Sequence, residues 1–138
     1  MKRAVVVGDG KLHVESALGA LTASGFEAVA VASATEARIQ VEAGAQVVVV
    51  GATGMPWTGE RSAPLATMPP ALRRGFLLVL VETGFVTGEG IRAFLLGADL
   101  VVATADLGRL GELASGALAA KRQLVAALDP IAAARLGG

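Results

Sequence analysis

The chain reads as a single doubly wound α/β domain: a parallel sheet of five strands with helices on both faces. Three observations predict this. Five short apolar runs, Ala4 to Val7, Ala28 to Ala32, Val47 to Val50, Leu77 to Val81 and Leu100 to Val102, recur along 138 residues. They are continuous rather than alternating, as parallel strands covered on both faces are. The spacing of about 20 to 30 residues leaves room for a crossover helix each time.

The helices follow in order. Val14, Ala17, Leu18 and Leu21 stand at i, i+3, i+4 and i+7, one apolar stripe, and Gly25 supplies a left-handed stop. Ser33 and Glu36 have capping-box spacing and open a helix through Val41 that ends near Gly44. Residues 51–70 are broken by Pro56, Pro64, Pro69 and Pro70 among three glycines, which confines any helix there to 60–68. Thr87 is the expected cap of a helix to Leu96, with Glu89 in its first turn and Ile91, Phe94 and Leu95 as its apolar face. Asp106 is the expected cap of the last and longest helix, in which Leu107, Leu110, Leu113, Ala114, Ala117 and Leu118 recur at helical spacing. Asp129-Pro130 breaks it. We place the domain at 1–125 and read 126–138 as the end of that helix and a short tail.

Composition excludes several functions. The 12 basic and 12 acidic residues cancel, and charged residues are only 17% of the chain. Without a basic field, nucleic acid and anionic membrane are poor partners. Aromatics are 4%, against base stacking. There is no cysteine, hence no disulfide and no thiolate chemistry, and one histidine, His13, expected on the first helix as a solvated or capping side chain. The longest apolar run, Phe76 to Val81, is too short to span a membrane. The chain reads as cytoplasmic. Low charge leaves apolar surface, which on a small domain marks contact with another protein.

Ligands of this fold class sit at the carboxyl ends of the strands. Gly8-Asp9-Gly10-Lys11 follows the first strand but has His13 where a dinucleotide fingerprint needs its third glycine. The third strand ends in Gly51-Ala52-Thr53, the fourth in Glu82-Thr83, the fifth in Ala103-Thr104-Ala105. Asp9 and Glu82 are the two carboxylates on this edge, too few for a hard cation. Neither a cofactor nor a metal is implied.

These residues resemble the receiver domain of bacterial two-component response regulators over about Arg3 to Arg122. The resemblance lies in Val5-Val6-Val7-Gly8-Asp9, Gly25-Phe26, Met55-Pro56 and Gly97-Ala98-Asp99, with sixteen residues from Asp9 to Gly25 and fifteen from Glu82 to Gly97. It implies a flavodoxin-like strand order 2-1-3-4-5. It also implies a degenerate phosphorylation site. Receivers transfer a phosphoryl group to an aspartate ending strand three, with magnesium held by acids after strand one, a Ser/Thr after strand four and a lysine after strand five. Here those positions are Gly8 and Asp9, Gly51 or Ala52, Glu82 or Thr83, and Thr104. An aspartyl phosphate needs an oxygen nucleophile and charge neutralisation, and this set offers neither.

The resemblance therefore implies a pseudo-receiver: not an enzyme, but a phosphorylation-independent interaction module in bacterial signalling, in motility or polarity control. Its partner would be an unidentified protein, with a second copy of the chain among the candidates. The face that receivers use for partners would here contain Phe85, Ile91, Arg92, Leu95 and Val101, with Phe94, Leu107 and Leu110 expected in the core. Trp57, after Pro56, is either a lid over the underlying helix or an anchor for the partner. Arg73-Arg74 is expected as a solvated helix end. Two other readings use the same edge: a small-ligand or nucleotide sensor built on Gly8 to Lys11 and Gly51 to Gly54, and a metal-dependent hydrolase using Asp9 and Glu82.

Overall fold

The computed structural model describes residues 2–8, 13–51 and 57–137. Five strands, β1 (Arg3–Val7), β2 (Glu27–Val31), β3 (Val47–Gly51), β4 (Leu77–Glu82) and β5 (Leu100–Ala103), form one parallel sheet in the order β2-β1-β3-β4-β5. The fold is α/β and flavodoxin-like. Each strand lies within one residue of its predicted run. β2 departs from the expectation of strands covered on both faces: it holds no fully buried residue, whereas β5, the other edge strand, is buried from Leu100 to Val102.

Seven helices connect and follow the strands: α1 (Val14–Ala23), α2 (Ala34–Glu42), α3 (Ala63–Ala66), α4 (Pro70–Arg73), α5 (Gly90–Leu96), α6 (Leu110–Ala126) and α7 (Pro130–Gly137). Successive strand side chains point to opposite faces, so the core divides in two. Val6, Val49, Val79 and Val102 pack with Leu21 of α1, Leu110 and Leu118 of α6 and Leu136 of α7. Val5, Val48, Leu80 and Val101 pack with Ala37 and Val41 of α2, Leu65 of α3 and Ala93 of α5. The capping box at α2 is present: Ser33 Oγ accepts from the Glu36 N–H at 3.2 Å, and Glu36 Oε2 accepts from the Ala32 N–H at 2.8 Å.

Four expectations are corrected. The Pro-rich segment makes two short helices, since Pro69-Pro70 starts α4 rather than ending structure: Pro70 stands at the first turn, where its missing N–H costs nothing. Residues 130–137 are no loose tail. Asp129 Oδ1 accepts from the Ala132 N–H at 3.0 Å and caps α7, whose Ala132, Ala133 and Leu136 are buried. That N–H, followed by Arg74, holds the Asp129 carboxyl below its ordinary range. α7 closes the amino end of the sheet, where buried Gln46 accepts from the Arg3 N–H at 2.8 Å and donates to the Arg135 carbonyl at 3.1 Å. The last two corrections concern caps. α6 starts after a 3-10 stretch, Thr104–Arg109, with no side-chain cap from Asp106, and α5 starts at Gly90, with Glu89 rather than Thr87 in the cap position.

Of the Arg73-Arg74 pair, Arg74 stays exposed at the end of α4 as expected, whereas Arg73 is held against its neighbours. Arg74 pairs with Asp129 at 3.1 Å. Arg73 lies over the Phe76 ring at 4.9 Å and donates to Asp99 Oδ2 at 2.8 Å and to the Gly97 carbonyl at 2.9 Å. Asp99 also accepts from the Leu78 N–H at 2.8 Å and from Lys121 Nζ at 3.0 Å, and Lys121 donates to the Phe76 carbonyl at 2.6 Å. Burial of the Lys121 ammonium outweighs the pull of Asp99 and lowers its pKa from 10.5 to about 8.

Two predictions follow from this packing. Gly111 brings α6 against α1: a Cβ there would lie 2.2 Å from Ser24 Oγ and 2.3 Å from the Ala20 carbonyl. Gly111→Ala should destabilise by about 1–3 kcal/mol despite its better helix propensity. Gly19→Ala, where nothing lies within 4 Å, should stabilise by about 0.5–1 kcal/mol, both read by urea denaturation. For Lys121, the folded chain sheds its proton at about 8 while the unfolded chain keeps it to 10.5. Over that window the unfolded state binds more protons, so stability rises with pH, by about 3 kcal/mol in all. With no tyrosine or cysteine in the chain, the ramp should be plain in denaturation midpoints and should flatten in Lys121→Met.

Candidate functional site

The carboxyl edge of the sheet is where β1, β3, β4 and β5 deliver their last residues. β3 ends at Gly51, in register with Val81, and β4 ends at Glu82, in register with Ala103. The Gly8 N–H donates to the Val31 carbonyl at 2.7 Å, so this position continues the β1–β2 ladder. The Gly51 carbonyl accepts from the Arg61 guanidinium, which also sits 5.9 Å from the centre of the Trp57 ring. Thr83 Oγ1 and Thr104 Oγ1 are 3.4 Å apart, joining the ends of β4 and β5. Glu82 is half-buried and Thr83 exposed. Asp9 and Ala52 lie outside the described residues, as do Gly10, Lys11 and Thr53-Gly54, which carry most of the ligand-sensor reading.

What this edge can do is limited by its residue types. From Val47 to Gly59 the sequence contains no Asp or Glu, so no carboxylate follows the middle strand. Among the described residues no group of three His, Cys, Asp or Glu side chains could hold a metal ion. The groups shown to bond here, the Thr83 and Thr104 hydroxyls and an arginine engaged with backbone, join loops to strand ends.

The loop from β4 to α5 shows this best. Thr87 Oγ1 accepts from the Ala103 N–H at 2.9 Å and donates to Asp106 Oδ2. The Gly88 N–H donates to the Val101 carbonyl at 2.9 Å, and Phe85 is buried beneath. Thr87 and Asp106, each expected to cap its own helix, instead hold each other across β5. At the other end α5 stops on Gly97, whose φ of 72° is left-handed. So α5, only seven residues long, is fixed at both ends by its flanks.

This anchoring matters because α5 buries so little. Ala93 is its one fully buried residue. Ile91, Phe94 and Leu95 are 72–82% exposed, with Val86 and Arg92 exposed beside them. Two turns of helix do not persist in water alone, and this one lacks the inward apolar stripe that normally compensates. The expected interface is thereby redrawn. Val101 is fully buried in β5, and Phe85 and Trp57 lie in the same core cluster, so none of the three is a contact residue. Trp57 is buried, with the Arg61 guanidinium beside its ring. Phe94, expected in the core, is on the surface, whereas Leu107 and Leu110 are buried as expected. Ile91, Arg92 and Leu95 remain together on α5. The sequence reading assigned Phe94 inward, but Ala93, not Phe94, faces the sheet.

No family model matches the chain, and no curated protein matches its sequence.

The Thr87 arrangement is testable. Thr87→Val keeps the side-chain shape but strands the Ala103 N–H and Asp106, and should cost about 1–3 kcal/mol in denaturant unfolding. Thr87→Ser should restore most of it.

Proposed function

We propose that the chain is a pseudo-receiver, a docking module that engages a protein partner through α5 and its flanks without phosphoryl transfer. The observation that carries this reading is the exposure of Ile91, Phe94 and Leu95 on a short helix anchored at both ends. A contiguous exposed apolar patch of this kind on a small domain marks a contact surface. Phe94 would be its aromatic anchor, with Arg92 and Glu89 as the polar rim.

Three further features support it. The strand order is that of receivers. The segment after β3 carries no acceptor carboxylate. Gly97 and Asp99, where the family resemblance is strongest, set the end of α5 and the start of β5. On this reading the module works by binding rather than turnover, in the bacterial cytoplasm, within signalling that governs motility or polarity.

The experiment has two arms. Incubation with acetyl phosphate and magnesium should leave no acid-labile phosphoprotein; a labelled band removes the reading. Phe94→Glu and Ile91→Glu lie on the surface and should leave the circular dichroism spectrum unchanged. They should also abolish capture of the proteins that the wild-type chain retains from lysate. Retention of the same proteins by both variants excludes α5 as the docking surface.

A further inference from the structure

The amino end of the sheet, opposite the carboxyl edge, holds a cavity of about 300 Å³ between α6, α7 and the residue that precedes β1. Leu118, Arg122 and Ala126 stand at every fourth position of α6 and so face the cavity together, with Gln123 beside them. Leu136 and Gly137 of α7 line the other side, and Lys2 lies where the chain enters β1. Leu118 and Leu136 are 2% and 1% exposed, and they give the cavity an apolar floor.

The charge at this cavity is unlike that elsewhere on the chain. Most of the described cations are engaged: Arg38, Arg73, Arg74, Arg109 and Lys121 pair with acids, and Arg3 and Arg61 donate to backbone carbonyls. The side chains of Lys2 and Arg122 have no hydrogen bond or ion pair among the described residues, yet both line the same cavity. No acid among the described residues lines it with them. Arg122 is also placed rather than merely present. A Cβ at Gly137 would lie 2.7 Å from the guanidinium carbon, so the guanidinium rests against the α7 backbone in space that any side chain there would take.

We propose that this cavity binds a small amphipathic carboxylate, its head between Arg122 and Lys2 and its aliphatic body on Leu118 and Leu136. A guanidinium takes a carboxylate through two parallel N–H bonds, and the Lys2 ammonium adds a second charge. The Gln123 amide supplies a further donor to the same head. The apolar floor selects against inorganic anions, which would leave it wetted, and the cations select against neutral or cationic chains. A cavity of this volume stands at the small end of ligand sites, which limits the body to a short or medium chain. A ligand seated here touches α6 and α7 at once. The site uses neither the carboxyl edge nor α5, and does not rest on the docking role of that helix.

Octanoate is the probe. Its titration, followed by heteronuclear NMR, should saturate and shift the amides of residues 118–126 and 136–137. Lys2, Arg122 and Ala126 are exposed, so substitutions there should leave the circular dichroism spectrum unchanged. Arg122→Gln should weaken binding about tenfold, and Lys2→Gln by a smaller factor. Ala126→Phe fills the cavity without altering charge and should abolish binding. Phe94→Glu should bind octanoate like the wild type, which separates this site from the apolar surface of α5. Octylammonium, with the same chain and the opposite charge, and inorganic phosphate, with charge and no chain, should not bind. Shifts that fail to saturate or that centre on α5 overturn the proposal. So does equal binding of octylammonium, or an octanoate affinity that survives both Arg122→Gln and Ala126→Phe.

Discussion

Asp99 is the junction on which the arrangement of four elements depends. Its carboxylate accepts from the Leu78 N–H of β4, from Arg73 of α4 and from Lys121 of α6, while its own N–H donates to the Leu78 carbonyl. A carboxylate this enclosed is stable only when its lone pairs are taken, and here three donors take them. The two cations have no other acid to share: Lys121 turns its remaining hydrogens to the carbonyls of Phe76 and Arg73. No buried side-chain polar atom among the described residues lacks a partner. The cluster holds α6 against the start of β4 and sets where β5 begins, and hence where α5 must end.

From that fixed end the properties of α5 follow. Gly97 turns the chain in the left-handed region so that Asp99 can enter β5, and Thr87 and Gly88 tie the opposite end of the helix to β5. A helix secured through its flanks need not bury its own large side chains to stay in place. That frees Ile91, Phe94 and Leu95 for solvent or a partner. Phe85, Trp57 and Val101 lie inside, in the same core cluster as Ala93. Rigid support beneath an exposed apolar patch lowers the ordering cost of binding, which is what a docking surface requires.

Much of this architecture was legible in the sequence, for identifiable reasons. Strands buried on both faces produce unbroken Val and Leu runs, and β1, β3, β4 and β5 are such runs; even β2, an edge strand, keeps its apolar residues. α1 and α2 announced themselves by a 3.6-residue stripe and a capping box. What was illegible depends on long-range pairing. Thr87 and Asp106 each have the residue type of a helix cap, and nothing local discloses that they bond to each other 19 residues apart. Arg73 looks like a solvated helix end until Asp99 is brought to it by the β4–β5 pairing. Lys121 carried a signal that could have been used, as one of two charges in a long apolar stretch. Phe94 was misassigned to the core because a seven-residue helix contains too few turns for periodicity to distinguish an inward position from an outward one.

The candidate site was legible only as an absence. The missing carboxylate after β3 can be read directly from Gly51 to Pro56, but what replaces that chemistry cannot. Among the described residues, groups at the carboxyl edge bond to one another and to backbone. Arg61 reaches back to the Gly51 carbonyl, Thr83 meets Thr104, and the Gly8 N–H completes a ladder with β2. The apolar surface, by contrast, lies on helices of opposite layers, α5 above one face of the sheet and α6 above the other. A chain with balanced charge has no long-range field to bring partners in, so its contacts rest on shape and burial.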